Sequence, residues 1–240
     1  MPPRDFIVGV DLAQLADYTA ITVLERRAVV VGPDAEPAGH YDLSHLERFN
    51  RVPYDRVVAR VGAVVADIHR AGGAFDDDGW PGQPWRAPTI DVVIDGTGVG
   101  VAVADMFRAA RLAVVPIVIT AGDQAHAVDG TWRVPKRDLV LAVQLALQQH
   151  RLRVAAALPE TETLVRELST FTARISLAGR LTFGAAGATE DDWRGGAHDD
   201  TVLATAIALW WGEHRAGQAL RPVSGALRQR LVRDLANVLG

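Results

Sequence analysis

The stretch 90–119 constrains the fold of this chain most. A compact, largely β-branched run at 90–94 ends at Asp95, and Gly96-Thr97-Gly98 follows as a turn. Helical spacing then covers 99–111, and a second apolar run fills 114–119. Strand, helix and strand in that order predict a parallel pair in an α/β sheet. Upstream, apolar runs at 6–10, 19–24 and 29–31 predict three short strands in an antiparallel meander.

The rest of the chain is read around that core. Residues 33–53 read as loop, and 54–71 as a helix with Val57, Val58, Val61, Val64, Val65 and Ile68 on one face. Loops are expected at 72–88 and 120–135, and a strong helix at 136–150. A short strand at 152–155 and a helix at 159–169 follow. The runs 171–175 and 180–183 flank Ala178-Gly179 as a hairpin, and 184–197 is a glycine-rich loop. A helix at 198–211 is apolar on most of its circumference, so it is expected to lie buried against the sheet. A last helix is expected at 224–239, capped by Ser224.

With 240 residues the chain suits one large domain, or one domain with an appendage. The absence of cysteine excludes a disulfide framework, thiolate zinc sites and a cysteine nucleophile. No apolar run approaches the ~20 residues of a membrane-spanning helix, and the N-terminus enters a strand directly, without signal-peptide character. The formal charge of -4 argues at first sight against a nucleic-acid partner. Lys136 is the single lysine, and no glycine pattern of a P-loop precedes it. The histidines show no zinc-protease spacing.

Four aspartates stand where buried elements end or begin. Asp11 closes the first strand, Asp95 closes the central parallel strand, and Asp199 and Asp200 open the buried helix. Ligands bind at the carboxyl ends of α/β strands, and carboxylates gathered there repel one another unless neutralised. Hard divalent cations such as Mg²⁺ and Mn²⁺ match an all-oxygen donor set. Two such ions serve phosphodiester hydrolysis by stabilising attacking and leaving oxygens. Taken singly, Asp11 and Asp95 also fit turn residues, and Asp199 and Asp200 also fit acids that balance a helix dipole. His198 stands beside them, as a capping residue or as a partner of a metal-bound water or phosphate.

Several segments, in order, resemble the nuclease domain of phage terminase large subunits. Gly9-Val10-Asp11-Leu12-Ala13 is similar to its first acidic motif, and Val92-Val93-Ile94-Asp95-Gly96-Thr97-Gly98 to its second. Val134-Pro135-Lys136-Arg137-Asp138-Leu139 resembles a downstream helix start, and Glu167-Leu168-Ser169-Thr170-Phe171 the entry to the family's hairpin. His198-Asp199-Asp200, with the small-residue helix after it, resembles the third acidic motif. Leu203 stands where many members carry a further aspartate.

The resemblance implies an α/β, RNase H-like fold: a mixed central sheet flanked by helices, with an added β-hairpin. The nuclease domain would span 1–216 and a helical extension 217–240. It implies a metal-dependent endonuclease that cuts concatemeric viral double-stranded DNA during packaging, using two Mg²⁺ or Mn²⁺ ions. Asp11 and Asp95 would hold the metals, Asp200 would be the third ligand, and Asp199 its partner or alternative. The expected partners are a packaging ATPase domain, a small terminase subunit and a portal protein, in the cytoplasm of a bacterial host. No such ATPase is in this sequence, so an excised domain or a free-standing nuclease is expected.

DNA contact is expected at a basic cluster. Residues 133–153 hold five basic side chains against one acid, and Arg133, Lys136 and Arg137 are the DNA-binding candidates. A second basic cluster at 221–233 also fits a solvated helix face. Three other classes stay open: a Holliday-junction resolvase of the same fold, a fragment of an actin-like ATPase, and a non-catalytic docking module of the packaging machinery.

Overall fold

The computed structural model describes residues 5–12, 17–29, 38–73, 89–98, 100–175, 181–185 and 199–215. Its centre is an eight-stranded sheet in the order β6-β7-β5-β4-β1-β2-β3-β8. Strands β1 (Asp5–Asp11), β2 (Tyr18–Val29) and β3 (Ala38–Asn50) form the antiparallel meander. β4 (Thr89–Asp95) pairs parallel with β1 and with β5 (Val114–Thr120), and α2 (Gly100–Ala109) makes the crossover. β6 (His126–Val128) and β7 (Thr131–Pro135) extend one edge, and β8 (Leu152–Val154) completes the other. A separate two-stranded hairpin joins β9 (Phe171–Ile175) and β10 (Leu181–Ala185). The α/β, mixed-sheet fold expected from the sequence is therefore the observed one.

Helices cover both faces of the sheet. On one face, Val8, Val10, Ile21, Val23, Val92 and Ile94 pack with α1 (Tyr54–Gly73) and α2. On the other, Ile7, Leu24, Leu43, Leu46, Val93 and Ile117 pack with α3 (Lys136–Gln148) and α5 (Asp200–Arg215). α4 (Thr161–Thr170) lies beside α5. Successive residues of a strand point to opposite faces, so Ile7, Gly9 and Asp11 all look toward α5.

Gly9 sets how closely that helix approaches. A Cβ placed there would stand 2.1 Å from the Ala204 carbonyl oxygen and 2.9 Å from the Ala208 Cβ. Only glycine lets the backbone of α5 sit so near β1. The far end of α5 is fixed as well. The Trp211 indole N–H donates to Asp91 at 2.9 Å, and Arg215 donates to the same carboxylate at 2.6 Å.

Two segments differ from the sequence reading. Residues 38–50 are a long strand, not part of a loop, and Val29 is the last residue of β2, not the start of a third strand. In β3 the buried Tyr41 and Leu43 alternate with His40, Asp42 and Ser44, so the apolar signal is diluted by half. A bulge opposite Val23 and Leu24 then shifts the alternation. The expected loop at 120–135 contains the β6–β7 hairpin. Asp129 and Gly130 turn it with positive φ angles of 49° and 76°, as a type I′ turn requires. The exposed, three-residue β6 hides this hairpin from hydrophobic patterning.

The expected helix at 224–239, most of the loop expected at 72–88 and most of the expected glycine-rich loop lie outside the described residues, and 72–73 belong to the end of α1. Among the described residues, no helix is long and apolar enough to cross a membrane.

Candidate metal centre

Sheet register brings the strand-borne site residues into one row. Val10 pairs with Ile94, which sets Asp11 beside Asp95 at the carboxyl ends of β1 and β4. On the other side Asp11 pairs with Ala20, and Ala20 pairs with Arg48. Directly paired residues share a face, so Asp95, Asp11, Ala20 and Arg48 all point toward the side that α5 covers. The fully buried Ala20 keeps that row clear of bulk beneath the start of α5.

The glycine turn after β4 holds Asp95 in place. The Thr97 N–H donates to Oδ1 of Asp95 at 2.7 Å, and the Thr97 hydroxyl accepts from the Ile119 N–H at 2.9 Å. Gly96 N–H donates to the Ile117 carbonyl at 2.7 Å, and Gly98 adopts φ 85°. The turn therefore ties the carboxylate to β5. Asp95 is only 8 % exposed, so it is more enclosed than an accessible strand-end acid.

The helix-borne acids are held by side chains from three other elements. Glu167 of α4 accepts from the Thr201 N–H at 2.9 Å, the Thr201 hydroxyl at 2.5 Å and the Val202 N–H at 3.1 Å. It thus caps the N-terminus of α5 from a distance of 34 residues in sequence. Arg48 of β3 donates to Oδ2 of Asp200 from Nε at 3.1 Å and from Nη2 at 2.8 Å. Lys136, the first residue of α3, lies 3.5 Å from Asp199.

Burial and mutual repulsion push these carboxyls toward protonation. Asp11 is raised well above the usual carboxylate range by burial, then by Asp95, Asp200, Asp199 and Glu167. Burial pushes Asp95 up to about 6 against the lowering effect of its Thr97 hydrogen bonds, with Asp199 adding repulsion. Asp199 and Glu167 are raised too, first by burial and then by Asp200, while Lys136 pulls Asp199 back and the Thr201 hydroxyl and Val202 N–H pull Glu167 back.

These acids fit hard divalent ions by donor chemistry: they are all oxygen and largely enclosed, and Asp11, Asp95 and Asp199 are each made less acidic by burial and by neighbouring acids. Among the described residues, no three acidic or histidine side chains close on a single point as a ready-made cage. Two of the four are instead paired with cations of the protein itself, Asp200 with Arg48 and Asp199 with Lys136.

Of the residues singled out in the sequence, Asp11, Asp95, Asp199 and Asp200 come together, with Lys136 beside them. His198 lies outside the described residues, as does the basic cluster at 221–233. Arg133 is exposed on β7, and Arg137 pairs with Asp123 at 2.7 Å and Asp138 at 3.4 Å. Two members of the first basic cluster serve the fold instead. Arg151 pairs with the buried Glu213 at 2.6 Å, and Arg153 with Asp42 at 2.6 Å.

Arg48 and Glu167 were not legible as site residues. Glu167 falls in the segment that resembles the entry to the family's hairpin, but nothing local marks it as a cap. Arg48 lies in the stretch read as loop.

Comparison with solved structures agrees with this architecture. The large terminase nuclease from thermophilic phage G20c with bound magnesium matches at a TM-score of 0.53 and 21 % identity, over 87 % of this chain and 82 % of that one. The same nuclease with bound cobalt gives the same values. The Thermus phage P74-26 large terminase nuclease domain matches at 0.50 and 20 % identity, over 87 % and 80 %. No protein-family model matches the sequence, and no curated protein sequence matches it. The chain therefore has the RNase H-like fold of the large terminase nuclease domains.

Proposed function

We propose that this chain is a divalent-metal-dependent endonuclease that cuts double-stranded DNA, in the manner of a terminase nuclease acting on concatemeric viral DNA. The observation that carries this reading is the meeting of Asp11, Asp95, Asp199 and Asp200 where β1, β4 and α5 come together. Four enclosed carboxylates in one place are costly unless a cation neutralises them. The metal-bound forms of the phage G20c nuclease, which shares the fold, support the same reading.

Asp11, Asp95 and Asp200 would hold two Mg²⁺ or Mn²⁺ ions, with Asp199 as partner or alternative. Bound there, such ions would supply charge neutralisation at a phosphodiester. Thr97 fixes the Asp95 carboxylate, and Glu167 fixes the helix end from which Asp200 projects. Lys136 and Arg137 at the start of α3, with Arg133 just before them, would meet the DNA backbone. The overall charge of -4 is no obstacle, because several of the acids belong to the proposed site and Arg133, Lys136 and Arg137 stand together in the chain, with Lys136 next to that site.

The nuclease unit is proposed to span 1–216 with 217–240 as an extension. Its proposed partners are a packaging ATPase, a small terminase subunit and a portal protein, in the host cytoplasm. The test is plasmid cleavage in Mn²⁺ and in Mg²⁺. Cutting that needs the metal and disappears in Asp95→Asn and Asp200→Asn supports the reading. Cutting that both variants retain overturns it.

A further inference from the structure

The carboxylate of Asp200 is already engaged by a cation of the protein's own. Both Arg48 hydrogen bonds, 3.1 and 2.8 Å, end on the same oxygen, Oδ2. The two side chains are largely enclosed, at 13 % and 11 % exposure. The guanidinium carbon also stands 3.7 Å from the centre of the Tyr18 ring. Tyr18 and Arg48 lie on β2 and β3, where the register pairs Tyr18 with Asn50 and Ala20 with Arg48. Arg48 is thus gripped by a carboxylate and by an aromatic face. The contrast with Lys136 is clear, since its 3.5 Å approach to Asp199 is a looser pairing.

We propose that Arg48 is a built-in counter-cation that competes with a divalent ion for Asp200, so that metal loads on the helix-borne side of the site only when the guanidinium withdraws. This rests on the reading of the acids as a metal site. An oxygen that accepts two N–H bonds has its lone pairs committed, and the guanidinium charge held beside it repels a divalent ion that approaches the other oxygen of the same carboxylate. When the competent arrangement is populated only part of the time, apparent affinity falls by that fraction. Arg48 therefore has two effects: it holds the metal-free cluster together, and it raises the free metal concentration needed to fill the site.

The test is Mn²⁺ binding, followed by calorimetric titration or by the free-ion magnetic resonance signal, on the full chain without DNA. Wild type, Arg48→Gln, Tyr18→Leu and Asp95→Asn are compared. Arg48→Gln is expected to tighten the weakest Mn²⁺-binding step by about tenfold or more. Tyr18→Leu, which removes only the ring under the guanidinium, moves affinity the same way by less. The metal-free melting temperature of Arg48→Gln falls, and added Mn²⁺ restores it.

Unchanged or weaker Mn²⁺ binding in Arg48→Gln, with wild type still binding through Asp95, overturns the proposal alone. A wild-type chain that binds no Mn²⁺ overturns the metal-site reading and this proposal with it. Should Arg48→Gln fail to fold, Arg48→Lys and Tyr18→Leu decide by the same comparison. Tightening supports competition, and weakening contradicts it.

Discussion

The two halves of the acidic centre are built in different ways. Asp11 and Asp95 belong to neighbouring parallel strands and are placed by sheet register and a glycine turn. Asp199 and Asp200 belong to the start of a helix and are placed by Arg48, Lys136 and Glu167, which come from three separate elements. The strand half is held by main-chain ladders. The helix half depends on side chains that can be exchanged, which is where adjustment of metal affinity can be located.

Removing a carboxylate from either half gives the largest expected effect. Asp95→Asn and Asp200→Asn should each lower metal-dependent cleavage by more than about a hundredfold, beyond the usual range for outer-shell partners. Steady-state plasmid cleavage checks this. A much milder loss in Asp200→Asn than in Asp95→Asn would show that the helix half is dispensable.

Changes in the packing between the halves come next. Gly9→Ala puts a methyl group against the Ala204 carbonyl, so α5 has to shift away from β1. Overpacking of this kind costs about 1–3 kcal/mol, read by urea unfolding, and Mn²⁺ affinity should fall with it. An unchanged stability would mean that the helix yields easily there.

Glu167→Ala tests the helix half by itself. It strips the cap from the Thr201 and Val202 N–H groups, a loss of about 1–2 kcal/mol. Mn²⁺ binding should weaken, because the start of α5 frays under Asp200. Glu167→Gln keeps an acceptor oxygen and should recover most of the stability.

The last expected effect is a pH dependence of metal-free stability. The Asp95 carboxyl is at about 6 in the folded chain, above the ordinary 3.8. Such a group contributes stability that is fully present below 3.8 and is lost as pH rises through about 6. Asp11 is shifted in the same direction. Metal-free protein should therefore melt at lower temperature at pH 8 than at pH 5. Added Mn²⁺ should raise the melting temperature more at the higher pH. A metal effect that grows as pH falls would contradict the assignment of these acids.

The same division explains what could be read from the sequence. Asp11 and Asp95 end apolar runs, and Asp199-Asp200 open a helix that is apolar nearly all round, so local pattern was enough to find them. β3 escaped because a polar residue follows each buried one and a bulge breaks the alternation. Arg48 escaped with it: its position relative to Asp11 exists only once Ala20 is paired on both sides. Glu167 escaped because a cap supplied from another helix leaves no mark on the helix that it caps. The basic cluster at 133–153 was legible as charge but not as layout, since Arg151 and Arg153 turn to acids of the fold.

The central claim is that Asp11, Asp95 and Asp200 jointly hold divalent metal. A crystal structure of the full chain soaked in Mn²⁺, read by anomalous scattering, tests it most directly. The account predicts manganese bound by Asp11 and Asp95 and reached by Asp200, with Arg48 moved off the Asp200 carboxylate. Manganese bound elsewhere, or these carboxylates left without it at saturating concentration, would contradict the account.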